Sequence, residues 1–410
     1  MSHAVTSSIF VFTYLLIAWP HFPPLPIGRP AAALLGAVLM VFAGVLTPAQ
    51  AYQAIDGNTL VLLVGLMALS SFLEQAGLFA RISELATASR LSASGLLTAL
   101  VVLSGVLSAV LLNDTVCLFL TPVVCHVCLK RGLPLGPYLL ALATSSNIGS
   151  AATLVGNPQN ILIGSIGPLS FGAYARIVAP ATAAALVANA LLLWLTFGRS
   201  LRAAESTRLR LQHAEPVTPV RPLALWVAAL VVLGYGAGLH LAFTTLAGVV
   251  LLVVLQRREP TTLFRDLDWS LIVFFAGLFV VVSAFASTGF PERAWQLAVP
   301  HMQLQTTPGV VWLSTYTVFG SNLFSNVPLV MLTGPLLAKL DRPERGFALL
   351  GYVSTVAGNL TLLGSVANLI VAERARKHHS LGFMEYLRFG VCSTLISLLV
   401  GVPIVCWLTR

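Results

Sequence analysis

Apolar stretches of about 17 to 25 residues follow one another along nearly the whole of this 410-residue chain, each long enough to cross a hydrocarbon layer of roughly 30 Å. That feature leaves few folds open. In lipid every backbone N–H and C=O has to be bonded within the protein, so a spanning chain is a bundle of helices or a closed barrel. No ten-residue alternation of apolar and polar positions runs through the sequence, which removes the barrel. With 57% hydrophobic and 9% charged residues, an aqueous globular fold is excluded as well. The chain therefore reads as an all-α polytopic membrane protein. Met1 to Trp19 lacks a basic leader and an A-x-A cleavage pattern, so it reads as a retained first helix.

Charge and cysteine usage fit that class. The formal net charge is +9, but the basic residues gather between apolar runs, as they do in cytoplasmic loops, and no nucleic-acid partner is implied. The five cysteines (Cys117, Cys125, Cys128, Cys392, Cys406) all lie inside apolar runs, so no disulfide framework is expected. Cys125 and Cys128 have C-x-x-C spacing without a second ligand pair, which favours helix packing over zinc.

Within the apolar background, the stretch from Asn113 to Asn160 stands apart. Asp114 is the only charged residue between Arg90 and Lys130. A carboxylate at membrane depth is costly, and by default it faces a cavity and marks a functional site. Thirty residues on, Ser145-Ser146-Asn147-Ile148-Gly149-Ser150 runs into Thr153, Gly156, Asn157, Pro158 and Asn160. Such a run breaks a spanning helix, and broken backbone at that depth is tolerated only where it is buried in protein or lines a wet cavity.

The pattern recurs. At an offset of 212 residues Gly36, Asp56, Gly65, Ser71 and Gly77 fall on Gly248, Asp268, Gly277, Ser283 and Gly289, and Phe171, Tyr174 and Arg176 fall on Phe383, Tyr386 and Arg388. Asn113-Asp114 falls on Ser325-Asn326, while Thr153, Gly156 and Asn160 fall on Thr361, Gly364 and Asn368 at an offset of 208. Paired halves with breaks in corresponding positions point to a secondary transporter with its site between the repeats. Spanning helices are expected near 5–20, 31–47, 58–75, 136–163 and 170–198, and near 222–239, 241–256, 268–287, 346–371 and 386–408. The segments 93–129 and 307–338 read as re-entrant hairpins that turn at their polar tips. Five crossings per half make 1–198 and 222–410 inverted-topology repeats, each with a re-entrant helical hairpin and a discontinuous helix, joined by a cytoplasmic linker at 199–221. That topology leaves Lys339, Arg342 and Arg345 on the outer side, against the charge rule. Tyr174 and Tyr386, each two residues before an arginine, read as interfacial anchors, and Asp56 and Asp268 as helix caps.

The motifs LLNDTVCLFLTPVV, SSNIGSAATLVGNPQNILIG, FSNVPLVMLTGP and STVAGNLTLLGSVANLIVAERA resemble the ion transporter superfamily. That group joins divalent anion/sodium symporters, arsenite efflux permeases and one class of sodium/proton antiporters. The branch of bacterial inner-membrane anion transporters is the nearest in pattern, and the likeness covers nearly the whole chain. It implies one site at Asn113, Asp114 and Thr115 with Asn147 and Gly149, and another at Ser325 and Asn326 with Thr355, Ala357 and Asn359. Thr153, Gly156, Asn157, Asn160, Thr361, Gly364 and Asn368 belong to the facing breaks. It also implies a homodimer in the bacterial inner membrane, with 31–47 and 241–256 as scaffold and the hairpins as the moving parts. The first tip reads Asn-Asp-Thr and the second continues Val-Pro, so the family's dicarboxylate specificity does not carry over.

The chemistry of these residues suits ions. Carbonyls, amide oxygens and hydroxyls are ligands for sodium, for which Asn113, Asp114, Asn147 and Gly149 are the candidates; helix N-termini suit an oxyanion. Asp114 serves as a charged sodium ligand or as a proton carrier, whereas its counterpart Asn326 cannot titrate. An intramembrane enzyme would need a motif such as H-E-x-x-H or a carboxylate pair, and neither is present. A channel would use a ring of like groups from several subunits. The expected function is uptake of a small inorganic or carboxylate anion coupled to sodium or protons. The alternative is arsenite-type efflux or sodium/proton antiport.

Overall fold

The computed structural model describes residues 3–18, 27–206, 219–257, 259–265 and 267–410, and these residues form helices and the turns between them. Most of the 199–221 segment, Arg258 and residues 19–26 lie outside the described residues. The linker expected from 199 begins inside a helix, because Phe171–Ser206 continues past 198.

Among the described residues each half carries ten α-helices in the same order. The first holds His3–Ala18, Gly28–Phe42, Pro48–Ala54, Gly57–Gln75 and Leu78–Ala88, then Ala93–Val110, Asn113–Arg131, Leu135–Ser150, Pro158–Ile166 and Phe171–Ser206. The second holds Pro222–Gly236, Leu241–Gln256, Pro260–Arg265, Trp269–Ala286 and Phe290–Ala298, then Thr307–Phe324, Asn326–Leu337, Pro343–Ala357, Val366–Ala375 and Phe383–Leu408. Local chemistry repeats too. Asp56 and Asp268 cap the fourth helix of their halves through Thr59 N (2.8 Å) and Leu271 N (3.2 Å). Gly77 and Gly289, at φ 87° and 69°, supply the left-handed turn that follows. The short helices Leu78–Ala88 and Phe290–Ala298 were not expected. Both carry an apolar stripe on an otherwise polar helix, which a search for long apolar runs passes over.

Among the described residues five helices are long and apolar enough to cross a membrane: Gly57–Gln75, Ala93–Val110, Phe171–Ala204, Trp269–Ala286 and Phe383–Leu408. Shorter apolar helices such as Gly28–Phe42 and Leu241–Gln256 surround them. At 15 and 16 residues these last two reach only about 23 Å.

The halves interleave. Gly28–Phe42 packs on Trp269–Ala286, and in the reciprocal contact Leu241–Gln256 packs on Gly57–Gln75. Asn113–Arg131 packs on Val366–Ala375, and Asn326–Leu337 on Pro158–Ile166. Phe171–Ser206 lies along Phe383–Leu408. At the centre, every residue of Leu135–Ser150 is buried, as is Pro343–Ala357 from Arg345 onward. Tyr174 and Tyr386 point into this core and are fully buried, so they are not interfacial anchors. The Tyr174 hydroxyl lies against Gly351 of the other half; Arg176, on a different face of the same helix, stays at the surface.

Ala93–Val110 meets Leu135–Ser150 so closely that a Cβ on Gly149 would collide with the backbone of Gly105. Backbone cannot yield as a side-chain tip does, so Gly149→Ala should destabilise the protein by about 1–3 kcal/mol. Gly57→Ala, which meets nothing within 4 Å, should leave the thermal midpoint unchanged.

Candidate functional site

Two helices are interrupted where they pass each other. One stops at Ser150 and resumes at Pro158; the other stops at Ala357 and resumes at Val366 after a 3-10 turn at Leu362–Gly364. Asn157 sets the restart of the first by accepting Asn160 N at 2.9 Å, with Pro158 in the opening position. Gly156 is needed because a Cβ there would run into the carbonyls of Ser150 and Ser108.

Each interruption exposes carbonyls that have no helical partner. An asparagine from the resumed helix satisfies them. Asn160 donates to Ser150 O (3.3 Å) and Thr153 O (3.0 Å), and Asn368 donates to Gly358 O (2.8 Å) and Thr361 O (3.1 Å). These are corresponding residues in both halves, and the next bonds cross between them. Asn368 Oδ1 must then face away from the carbonyls, and it accepts Asn147 Nδ2 at 2.9 Å. Asn147 also donates to Asn359 Oδ1 at 2.9 Å, so its own Oδ1 turns to Ser365 Oγ and Asn113 Nδ2, both at 2.9 Å. Asn113 Oδ1 is left as a buried acceptor without a partner. The network thus fixes the amide orientation that geometry alone leaves ambiguous.

In the mirrored arrangement Thr355 stands where Asn147 does. Asn157 Nδ2 donates to its hydroxyl at 3.1 Å, and that hydroxyl lies 3.5 Å from Asn160 Oδ1. A hydroxyl has one proton to give, so this relay is weaker than its amide counterpart. Asn359 Nδ2 reaches Thr144 O at 3.1 Å.

The two hairpin tips meet across a cavity of about 40 Å³ lined by Asn113, Asp114, Ser325, Asn326, Val327, Pro158, Gln159, Gly364, Ser365 and Val366, and floored by Phe274, Phe275 and Leu278. That volume suits an ion or a very small molecule. Asn113 N is anchored on Gly156 O at 2.9 Å, which ties the first tip to the first break. Asp114 is buried, and its carboxylate accepts the backbone N–H of Ala367 in the first turn of Val366–Ala375. A carboxylate of one half therefore sits at the positive end of a helix of the other. Arg29 and Asp268 are the charged side chains within electrostatic reach of it. No Lys or Arg lines the cavity. Asn326 Oδ1, at the opposite tip, is also buried without a partner. Ser325 joins the two arms of the second hairpin at φ 72°, ψ 158°, a conformation that strains any residue but glycine.

Of the residues singled out from sequence, Asn113, Asp114, Ser325, Asn326 and Gly364 line the cavity. Asn147, Asn157, Asn160, Thr355, Asn359 and Asn368 form the network behind it. Thr153 and Thr361 contribute carbonyls to that network, while Gly149 and Gly156 permit close approach of backbone. Thr115, half-buried, is outside the lining. Sequence reasoning missed Gln159, Ser365, Arg29 and the aromatic floor. Ser365 was within reach of the repeat argument, as the counterpart of Asn157 at an offset of 208. Phe274 and Phe275 carry no polar signal and are found only by packing.

Two outcomes test this geometry. Asn147→Ala strips partners from Asn113, Ser365, Asn359 and Asn368 together, and should cost at least about 3 kcal/mol in thermal unfolding. Ser325→Gly removes backbone strain and should raise stability by about 1 kcal/mol.

Comparison with known proteins places the chain in a family. The model for the family CitMHS, described as citrate transporter, matches residues 14–348. A Dictyostelium discoideum protein provisionally named transporter arsB is 30% identical over 98% of this chain and 91% of its own length. The silicon efflux transporter LSI3 of Oryza sativa is 33% identical over 97% of this chain and 96% of its own. The solved YdaH transporter of Alcanivorax borkumensis covers 98% of both chains at 18% identity, with a TM-score of 0.48. Family and relatives are transporters, not enzymes. The chain belongs to the CitMHS citrate transporter family.

Proposed function

We propose that this protein is a secondary active transporter in which Asp114 and Asn113 Oδ1 hold a coupling cation, sodium or a proton, while a small oxyanion or oxyacid occupies the space between the two hairpin tips. The observation that carries this reading is the pairing of a buried carboxylate with an amide oxygen that the Asn147–Asn368 relay leaves without a donor. A carboxylate and an unpartnered amide oxygen on adjacent residues that line one cavity suit a hard cation or an O–H. An anion beside Asp114 alone would be repelled, and no basic side chain in the lining offsets this. Cation and anion in the same cavity neutralise each other, which gives coupling a physical cause. The N-terminus of Pro158–Ile166 lines the same cavity and, unlike that of Val366–Ala375, holds no carboxylate, so it is the better seat for the oxyanion.

The repeated order of ten helices and the reciprocal contacts between halves support two repeats, at 1–198 and 222–410, of inverted topology, with the hairpins carrying the site between two openings. A second reading, efflux of an undissociated oxyacid in exchange for protons, is favoured by the small cavity without cations and by the names of two relatives.

Purified protein in proteoliposomes, loaded with a pH-sensitive dye and given a panel of oxyanions and oxyacids, separates the two. Inward anion flux that requires a sodium or proton gradient supports the first. Outward movement of a neutral oxyacid with proton counterflow supports the second. In either case Asp114→Asn should uncouple substrate flux from the ion gradient, lowering driven accumulation by at least roughly tenfold. A variant that still accumulates substrate against its gradient would remove Asp114 from the coupling role.

A further inference from the structure

A larger cavity among the described residues lies away from the hairpin tips. It is a groove of about 830 Å³ between Thr307–Phe324 and Phe383–Leu408. Its long wall is apolar and open to the outside, with Phe319 and Leu399 exposed by 73% and 74% and Val311, Leu395 and Trp407 by more than half. Its end is different in character: Arg342, Arg345 and Arg410 gather there with Gln305, Thr306 and Thr307. A second, more polar cavity of about 320 Å³ continues from that end, sharing Leu304, Gln305, Thr306 and Arg342 and adding Gln303, Lys339 and Asp341.

The arginines differ in what they do. Arg345 is buried and spends its donors on carbonyls and a hydroxyl, reaching Leu304 O at 2.6 Å, Thr409 O at 2.9 Å, Thr409 Oγ1 at 2.9 Å and Cys406 O at 3.1 Å. It is structural. Arg342 is only half-buried and makes one bond, to Thr409 O at 3.2 Å, out of five donors. None of the ion pairs among the described residues involves Arg342, Arg345 or Arg410. The equivalent space in the first half is filled: Ala93–Val110 packs on Phe171–Ser206, with Leu186 pressed against Gly105. The groove is therefore a feature of the second half only, and it coincides with the basic cluster that departs from the charge rule for loops.

We propose that this groove is a binding site for one anionic phospholipid, with an acyl chain along Val311, Phe319, Leu395 and Leu399 and the phosphate at Arg342 and Arg410, its head group extending into the polar cavity beside Lys339. The match is amphipathic and electrostatic at once. An apolar trench of chain-like proportions opens at one end onto arginines that have no ion-pair partner among the described residues, and two cations, Lys339 and Arg342, share the head-group compartment with one carboxylate, Asp341. Basic pockets between membrane helices recognise lipid head groups on this principle. The lipid would wedge the second hairpin's first arm away from the last helix, where the first half has direct packing.

The test uses the full-length protein in mixed micelles containing phosphatidylglycerol or phosphatidylcholine with brominated acyl chains, reading quenching of Trp407 as the difference from Trp407→Phe. Brominated phosphatidylglycerol should quench at a lipid fraction roughly thirtyfold lower than phosphatidylcholine, whose choline cancels the phosphate charge that about two cations would otherwise attract. Arg342→Gln with Arg410→Gln, which breaks only the Thr409 bond, should erase that preference. Equal quenching by both lipids would overturn the proposal. So would a preference that survives the double variant, or equal competition by glycerol phosphate without chains. If the double variant does not fold, the wild-type comparison of the two lipids still decides, and disulfide cross-linking of Phe319→Cys into a lipid-free dimer would assign the groove to a second copy.

Discussion

The structure depends on satisfying the carbonyls released where two membrane-depth helices are cut. Water and lipid are not available to cap them, and each left bare would cost as much as several surface interactions gain. Asn160 and Asn368 solve the problem in the same way in both halves, by folding back on the segment just before their own helix. Everything nearer the cavity follows from that. An amide that gives both protons to carbonyls shows its oxygen to the other half, and the asparagine that answers it there must show its own oxygen in turn. Four side chains, from Asn368 through Asn147 to Asn113 with Ser365 beside them, are thereby committed to one orientation. What results at the first hairpin tip is an unpartnered acceptor, positioned by bonds that begin at Asn368 in the other half of the protein.

The same relay explains why the halves differ chemically although their helices follow the same order. Replacing Asn147 by Thr355 at the mirrored position interrupts the chain of amides, and replacing Asp114 by Asn326 removes the charge. One tip is rich in fixed oxygen and carries a carboxylate against a helix N-terminus; the other has a neutral amide and a strained serine turn. On the function proposed above, such unequal tips would let a cation and an anion be held by different means in one small space. A symmetric pair would bind two ions of one kind.

Much of the helical framework was legible in the sequence. Apolar runs placed the helices expected near 58–75 and 241–256 at Gly57–Gln75 and Leu241–Gln256, because burial in lipid leaves composition as the dominant signal. The caps at Asp56 and Asp268 were readable for a local reason, a carboxylate just ahead of an apolar run. Long-range pairings were not. Nothing in the spacing of Asn147 and Asn368 announces that they meet, since 221 residues separate them and the contact arises only from interleaving. Tyr174 and Tyr386 misled for a related reason. An aromatic residue near an arginine commonly marks the membrane surface, but residues two apart on a helix face different ways, and here the tyrosines took the inward one. The amphipathic helix Phe290–Ala298 and the aromatic floor of the cavity lacked any polar or hydrophobic extreme to betray them.

If the relay presents Asn113 Oδ1, beside Asp114, to a coupling cation, binding of that cation should be visible at the first hairpin tip. Cryo-electron microscopy of the protein in sodium-containing and sodium-free buffers, each at neutral and acidic pH, tests it most directly. The account predicts that density or a contraction of the Asn113–Asp114 contact appears with sodium, or with acid if the proton is the coupling ion, while Asn147 and Asn368 stay fixed. Anion density held directly against Asp114 with no cation between them, or an Asn113 amide turned to offer its Nδ2 to the cavity, would contradict it.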